Sequence, residues 1–239
     1  MRLLLTRPLA GAGELTSLLQ AAGHHLICDA LLTIENLPME PIDHAQVQAV
    51  AVTSSNALRG LHPDTRLAEI PVYAVGTATA RQARAQGFGN VIECGPDAAS
   101  LAKALTAELS RTAGVILYLR GEDIAFELED HLLASGFDVK PRIVYRAVPA
   151  ELLSAETVNA LIDSTLDGVI LLSPRTARIY LKLIRQSGFA NQIRHLTHFC
   201  LSQRIAGTLL AAGLTNTSIP ARPDIQELVA LIGAKATHS

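Results

Sequence analysis

The sequence has no tryptophan and only five phenylalanines and four tyrosines in 239 residues, so its cores must be packed from aliphatic side chains. Cysteine is as sparse. Cys28, Cys94 and Cys200 are odd in number, far apart and mostly set in apolar runs. That excludes a disulfide framework or a zinc site and suits buried thiols in a reducing compartment. The eight histidines, His24 and His25 included, never take the H-E-x-x-H or H-x-x-E-H spacing of a metal-binding helix. No apolar run approaches the ~20 residues of a membrane span. The leucines of "MRLLLTRP" are too few for a secretory signal, and the "NTS" at 216–218 is an acceptor pattern that a cytosolic protein never uses. A net charge of −2 argues against a general nucleic-acid binder and gives no acidic-tail signal. These absences predict a soluble cytoplasmic protein. Lysine is rare too, at positions 103, 140, 182 and 235 only, against sixteen arginines. Arginine's forked donor suits carboxylates or phosphates, although a GC-rich genome produces the same bias.

What is present is alternation. Short apolar runs at Arg2–Thr6, His25–Ile34, Val47–Thr53, Val72–Val75, Val91–Glu93, Val115–Leu119, Val139–Arg146, Val169–Leu172, His198–Leu201 and Thr217–Ile219 read as strands. Most are continuous and β-branched, as in strands buried on both faces. Helical patterns lie between them, among them "GELTSLLQAAG", "TATARQARAQG", "SLAKALTAELSR", "IAFELEDHLLASG", "SAETVNALID" and "QELVALIGA". Gly23, Gly87, Gly136 and Gly213 stand where left-handed C-terminal caps are expected. Strands alternating with helices predict α/β architecture with parallel sheets and right-handed crossovers.

The chain also repeats itself. Arg7 is followed sixteen residues later by Gly23, and Arg120 by Gly136. "YAVGTATARQARAQGFGN" matches "FCLSQRIAGTLLAAGLTN", and "AVAVTSSNALRGL" matches "GVILLSPRTARIYLKL". Two copies of one βα architecture, about 110 to 120 residues each, follow from this. Leu26–Pro38 and Val139–Pro149 hold equivalent places, and each is longer than a βα unit needs. If they cross between lobes as a pair of strands, the lobes interleave: residues 1–36 with 148–239 form one, and 37–147 the other. Hinges are then expected at 36–39 and 147–149.

In open parallel sheets, ligands bind beyond the carboxyl ends of the strands. Those junctions here carry Thr6-Arg7, Ser54-Ser55-Asn56, Gly76-Thr77, Arg120-Gly121, Ser173-Pro174 and Ser202-Gln203. Small residues at a helix N-terminus expose amides to anions. The same residues are preferred N-caps, so any one junction alone reads as a cap. Their recurrence in both copies favours a shared anion-binding cleft. No carboxylate pair, Ser-His-Asp set, G-x-G-x-x-G or P-loop is present. Glu122 and Asp123 read as first-turn acids of a helix, and Tyr145 as a tyrosine of the crossing strand.

Taken in order, "LLLTRP", "VTSSNAL", "VYAVGTATARQARAQGF", "LRGE", "VYRAVP", "LLSPRTA" and "RPDIQELVALI" resemble the uroporphyrinogen-III synthase family over nearly the whole chain. The resemblance implies two flavodoxin-like lobes, each a parallel sheet flanked by helices, joined by a two-stranded connector. It implies cyclisation of the linear tetrapyrrole hydroxymethylbilane, with inversion of the last pyrrole ring, loss of water and no cofactor or metal. The electron-rich pyrrole drives out the hydroxyl and leaves a reactive azafulvene, so the protein chiefly fixes geometry. Tyr145 matches the tyrosine proposed to help the hydroxyl depart, and a phenol can donate at neutral pH. Thr6, Arg7, Ser54, Ser55, Asn56, Gly76, Thr77, Ser173 and Ser202 are then the candidates to bind the substrate's acetate and propionate groups. One departure stands out: "SQRIAG", with Gln203 and Arg204, replaces the small-residue and threonine cluster usual in the second copy. A monomer is expected, with no nucleic-acid or membrane partner and room for transient handover from the preceding pathway enzyme. Two other classes compete. One is a non-catalytic two-lobed α/β protein that binds a small anion or sugar. The other is a glycosyltransferase-like enzyme, which lacks a nucleotide-sugar signature here.

Overall fold

The computed structural model describes residues 1–7, 13–38, 43–59, 61, 63–123 and 126–236, the side chain of His44 apart. Its strands are β1 (Arg2–Leu5), β2 (His25–Cys28), β3 (Leu32–Asn36), β4 (Val47–Val52), β5 (Val72–Ala74), β6 (Val91–Glu93), β7 (Val115–Gly121), β8 (Asp138–Pro149), β9 (Gly168–Leu171), β10 (Thr197–Cys200) and β11 (Thr217–Ser218). They form two sheets, and the chain divides into two units, Met1–Thr33 with Val148–Ser239 and Ile34–Ala147.

In the first unit the order is β11-β10-β9-β1-β2, all pairs parallel. Counted along the chain within the unit this is 2-1-3-4-5, the flavodoxin order. The leucines of β1 show why the run is continuous. Leu4 faces helices α6 (Ala155–Ile162), α7 (Pro174–Gln186) and α8 (Gln203–Leu210), while Leu3 and Leu5 face α1 (Gly13–Ala21) and α9 (Ile225–Ala236). All three leucines are fully buried, so truncating any one to alanine costs about 2–5 kcal/mol.

The second unit has the order β8-β7-β4-β5-β6, with β3 added beyond β8. Here β7 and β8 stand where β1 and β2 stand in the first unit, and β4, β5 and β6 stand where β9, β10 and β11 do. The spatial order is shared and only the chain order is permuted, as the internal repeat requires. Alternation along β4 again divides two layers. Val50 and Val52 face α2 (Thr65–Glu69), α3 (Gly76–Ala85) and the 3-10 turn Ser55–Leu58; Ala49 and Ala51 face α4 (Ala98–Glu108) and α5 (Leu128–Ala134).

Nine of the ten expected strands appear as single elements, and the helices fall where periodicity put them. Gly23, Gly87, Gly136 and Gly213 take φ values of 81°, 97°, 84° and 83°, as helix-ending glycines do. Two corrections are needed. The run His25–Ile34 is not one strand: it breaks between β2 and β3. At the break the Asp29 amide donates to Leu5 O, and the Asp29 carboxylate accepts from the Ser154 amide at 2.8 Å, which turns the chain. The expected helix "IAFELEDHLLASG" starts only at Leu128, and its Ile124 and Ala125 lie outside the described residues, as does Met39 of the expected hinge. The two connecting segments pair as β3 and β8. Ala150 N donates to Leu31 O and Leu37 N to Val144 O, so the two strands run in opposite senses. All three cysteines are free, and burial pushes the thiols of Cys94 and Cys200 up to about 11 and about 12.

Candidate active site

In the second unit the chain leaves β4 towards β5 on one side and later returns to β7 on the other, so the topological switch point falls between β4 and β7. A cavity of about 350 Å³ opens there, at the carboxyl ends of the strands. Thr53 and Ser54 follow β4, Pro96 and Asp97 follow β6, and Arg120 and Gly121 close β7. Tyr118, Phe126 and Tyr145 complete the walls.

A bulge aims Tyr145 into this cavity. β7 and β8 pair in step through Arg120 with Ile143, then shift so that Gly121 stands opposite Tyr145. The skipped residue, Val144, turns into the core beside Leu117 and Leu119. Bulges next to active sites commonly re-aim a side chain in this way. The Glu122 amide locks the shift by donating to Tyr145 O at 3.0 Å. The phenol ring lies directly over Gly121: a Cβ there would sit 2.6 Å from Tyr145 Cζ and 2.9 Å from its Oη. Glycine is required for this close approach and not for backbone freedom.

Arg120 is half-buried on the same rim. Its Nη1 donates to Gly121 O at 3.0 Å and Glu122 O at 3.4 Å. Its Nε is buried and has no hydrogen-bond partner among the described residues. Tyr118 is almost fully buried. Burial pushes its phenol up, while the Thr53 hydrogen bond and the Arg120 charge pull the other way.

Ser54 takes the N-cap position of the 3-10 turn and accepts from the Asn56 amide at 3.3 Å. Ser55 and Asn56 form the turn itself, half-buried beside the cavity. Gly76 and Thr77 open α3, whose N-cap residue, Val75, makes no side-chain capping bond. The Gly76 amide is already bonded to Gly95 O, however, and the Thr77 hydroxyl donates to Glu93 at 2.8 Å. In the first unit, Thr6 is buried with its hydroxyl on Ile170 O at 2.8 Å, and Arg7 is exposed beside it. Ser173 caps α7, accepting from Thr176 N at 3.0 Å. Ser202 heads α8 with no capping bond from its side chain. The cavity therefore gathers Tyr145 and Ser54 from the expected set. Ser55, Asn56, Gly76 and Thr77 stand at neighbouring junctions of the same unit, and Thr6, Arg7, Ser173 and Ser202 at the strand ends of the other. Among the described residues, no cluster of three or more histidine, cysteine or acidic side chains is placed to hold a metal, and no helix is long and apolar enough to cross a membrane.

The sequence family described as Uroporphyrinogen-III synthase HemD matches residues 13–230. The chain belongs to the uroporphyrinogen-III synthase family. The family's enzymes are cyclising lyases of haem biosynthesis that close hydroxymethylbilane to uroporphyrinogen III with inversion of the last pyrrole ring and loss of water. That is the activity of this chain, and its substrate is a tetrapyrrole. The fold agrees. It is similar to uroporphyrinogen-III synthetase from Helicobacter pylori 26695, with a TM-score of 0.67 and 21% identity, over 98% of this chain and 100% of that one. A mutant uroporphyrinogen III synthase from the extremely thermophilic bacterium Thermus thermophilus gives a TM-score of 0.54 and 16% identity, over 99% and 98% of the two chains. No curated protein matches the chain in sequence.

Sequence reasoning missed Tyr118, Asp97 and Phe126 as walls of the synthase cavity. A signal existed for the first. Strand alternation puts Tyr118 on the same face of β7 as Arg120, so the hydroxyl inside "ILYLR" shares a face with the residue at the strand's carboxyl end.

Proposed function

We propose that the cavity at the β4/β7 switch point is where this synthase expels the substrate hydroxyl, with Tyr145 as proton donor. The observation that carries the reading is the bulge that fixes the Tyr145 ring over Gly121, inside the cavity and at the carboxyl ends of the strands. Lone-pair push from the terminal pyrrole breaks the carbon–oxygen bond, and the Tyr145 phenol gives its proton to the departing hydroxyl, which leaves as water. The azafulvene so formed is attacked by the substituted α-carbon of the last pyrrole; breaking that carbon's original methylene bond releases a second azafulvene, which the ring's unsubstituted α-carbon then closes, so the ring ends inverted. The proton lost from that pyrrole on closure restores the phenol. Proton transfer by a positioned group typically contributes about 10²–10⁴-fold.

Binding in this reading falls to the strand-end junctions. Ser54, Ser55 and Asn56, with the α3 amides behind Gly76 and Thr77, meet carboxylates in the second unit. Thr6, Arg7, Ser173 and Ser202 do so in the first, where Ser202 has its hydroxyl uncommitted to capping. The linear tetrapyrrole is taken up in the cytoplasm by a monomer, in transient contact with the enzyme that makes it; a dimer in light scattering would overturn the monomer. The reaction is tested by supplying enzymatically generated hydroxymethylbilane and resolving the uroporphyrinogen isomers. Isomer I alone would reject the synthase reading. Wild-type turnover in Tyr145→Phe, measured against spontaneous closure, would remove Tyr145 from the chemistry.

A further inference from the structure

We infer that Arg120 is the carboxylate anchor of the cavity, a specificity-determining residue that holds one acidic side chain of the substrate beside the Tyr145 phenol. The inference rests on the reading of this cavity as the active site. Among the described residues this guanidinium is held without being neutralised. Nη1 is fixed by two backbone carbonyls, Gly121 O at 3.0 Å and Glu122 O at 3.4 Å. Nε is shut from water and has no acceptor among the described residues. Among the described residues no carboxylate pairs with Arg120, although two acids line the same cavity. Asp97 is spent as the cap of α4, its Oδ1 accepting from the amide and the hydroxyl of Ser100, both at 2.8 Å. Asp123 is not free either.

The buried side of this guanidinium gains most from a charged partner, and neutral carbonyls orient it without supplying that partner. Carboxylate is the partner its planar fork fits, and every ring of the substrate carries carboxylates. The carbonyls that hold Nη1 belong to the turn whose Glu122 amide also locks Tyr145 O. Anchor and proton donor are therefore fixed by one short backbone segment, so a carboxylate seated on Arg120 sets the register of a pyrrole relative to the phenol.

The test compares Arg120→Gln and Arg120→Lys with wild type. Three quantities are read: KM and kcat on enzymatically generated hydroxymethylbilane, the isomer III to I ratio, and affinity for uroporphyrin III, the oxidised octacarboxylate product, by porphyrin fluorescence across a salt series. Loss of a charge-assisted pair predicts a rise of about ten- to a hundredfold in KM and in the uroporphyrin Kd for Arg120→Gln, with a flatter salt dependence. Arg120→Lys keeps the charge without the fork and recovers part of that loss. A purely structural role for the Nη1 contacts would lower kcat and thermal stability in both variants, leave KM and Kd unchanged, and overturn the inference. Tyr145→Phe is run alongside. If it impairs turnover while Arg120→Gln leaves KM and Kd at wild type, the anchor fails and the active-site reading stands. If neither variant changes anything, the active-site reading itself fails.

Discussion

Replacing Gly121 by alanine separates position from fold. The new methyl carbon would lie 2.6 Å from Tyr145 Cζ, 2.8 Å from Cε2 and 2.9 Å from Oη. Ordinary carbon contacts lie near 3.5 Å, so the ring must retreat by about 1 Å. Gly121 does not have positive φ, so alanine adds no backbone strain. The atoms that must yield form the end of a half-buried side chain, which swings cheaply, and the stability cost stays near 1 kcal/mol, a few degrees in Tm for a chain of this size. Catalysis is less forgiving, because a 1 Å misplacement can cost about 10²-fold in rate. The expected outcome is a folded protein with kcat down by about two orders of magnitude, KM little changed, and isomer I rising as spontaneous closure competes. Isomer analysis by chromatography and thermal melts decide it. In the Tyr145→Phe background the alanine should add little further loss, since no donor remains to be displaced. Full turnover in Gly121→Ala, or a melt lowered by tens of degrees, would refute the reasoning.

Gly168→Ala supplies the contrast. Its Cβ would meet Thr197 O at 2.7 Å and Phe199 Cε2 at 2.9 Å inside the first sheet, where backbone cannot move aside, so about 1–3 kcal/mol is lost, read by urea unfolding. Ser173→Ala removes a cap bond and should cost about 1 kcal/mol, whereas Ser202→Ala, which has no such bond, leaves the melt unchanged and raises KM if the hydroxyl binds substrate. Acid stability depends on His198, buried on β10 with its Nε2 3.2 Å from the Tyr180 hydroxyl. Burial lowers its pKa from 6.5 to about 4, so the unfolded chain takes up a proton that the folded chain refuses. Stability is therefore intact above pH 6.5 and falls as the pH drops, by about 3 kcal/mol at pH 4. In the double variant His198→Leu/Tyr180→Phe, unfolding curves from pH 7 to 4 should lose this one-proton slope.

Architecture was legible in the sequence where a single residue's surroundings are local. Strands such as "VQAVAV" and the glycines that end helices follow from periodicity and backbone sterics alone. The repeat also exposed the permuted relation between the sheets, since it pairs β4 with β9 and β7 with β1. The break at Asp29 was not legible, because the group that turns the chain, the Ser154 amide, lies far away along it. The cavity shows the same limit. Its walls come from four strand ends and from Tyr145 within β8, and the bulge that aims Tyr145 depends on the pairing of β7 with β8, which no local pattern encodes. The hydroxyls at the junctions stood out at once, yet what they do depends on partners: Ser54 and Ser173 cap, Thr77 is tied to Glu93, and Ser202 is left without a capping bond.

The permuted sheets have a consequence for biosynthesis. With β3 set aside, each repeat gives two strands to one sheet and three to the other, so neither repeat can close a core by itself. During translation the second unit has all of its strands by residue 149, and it can fold while the rest of the protein is still being made. The first unit must keep β1 and β2 waiting, leucines exposed, until β9, β10 and β11 emerge beyond residue 168. Its earliest strands are thus its last to be buried.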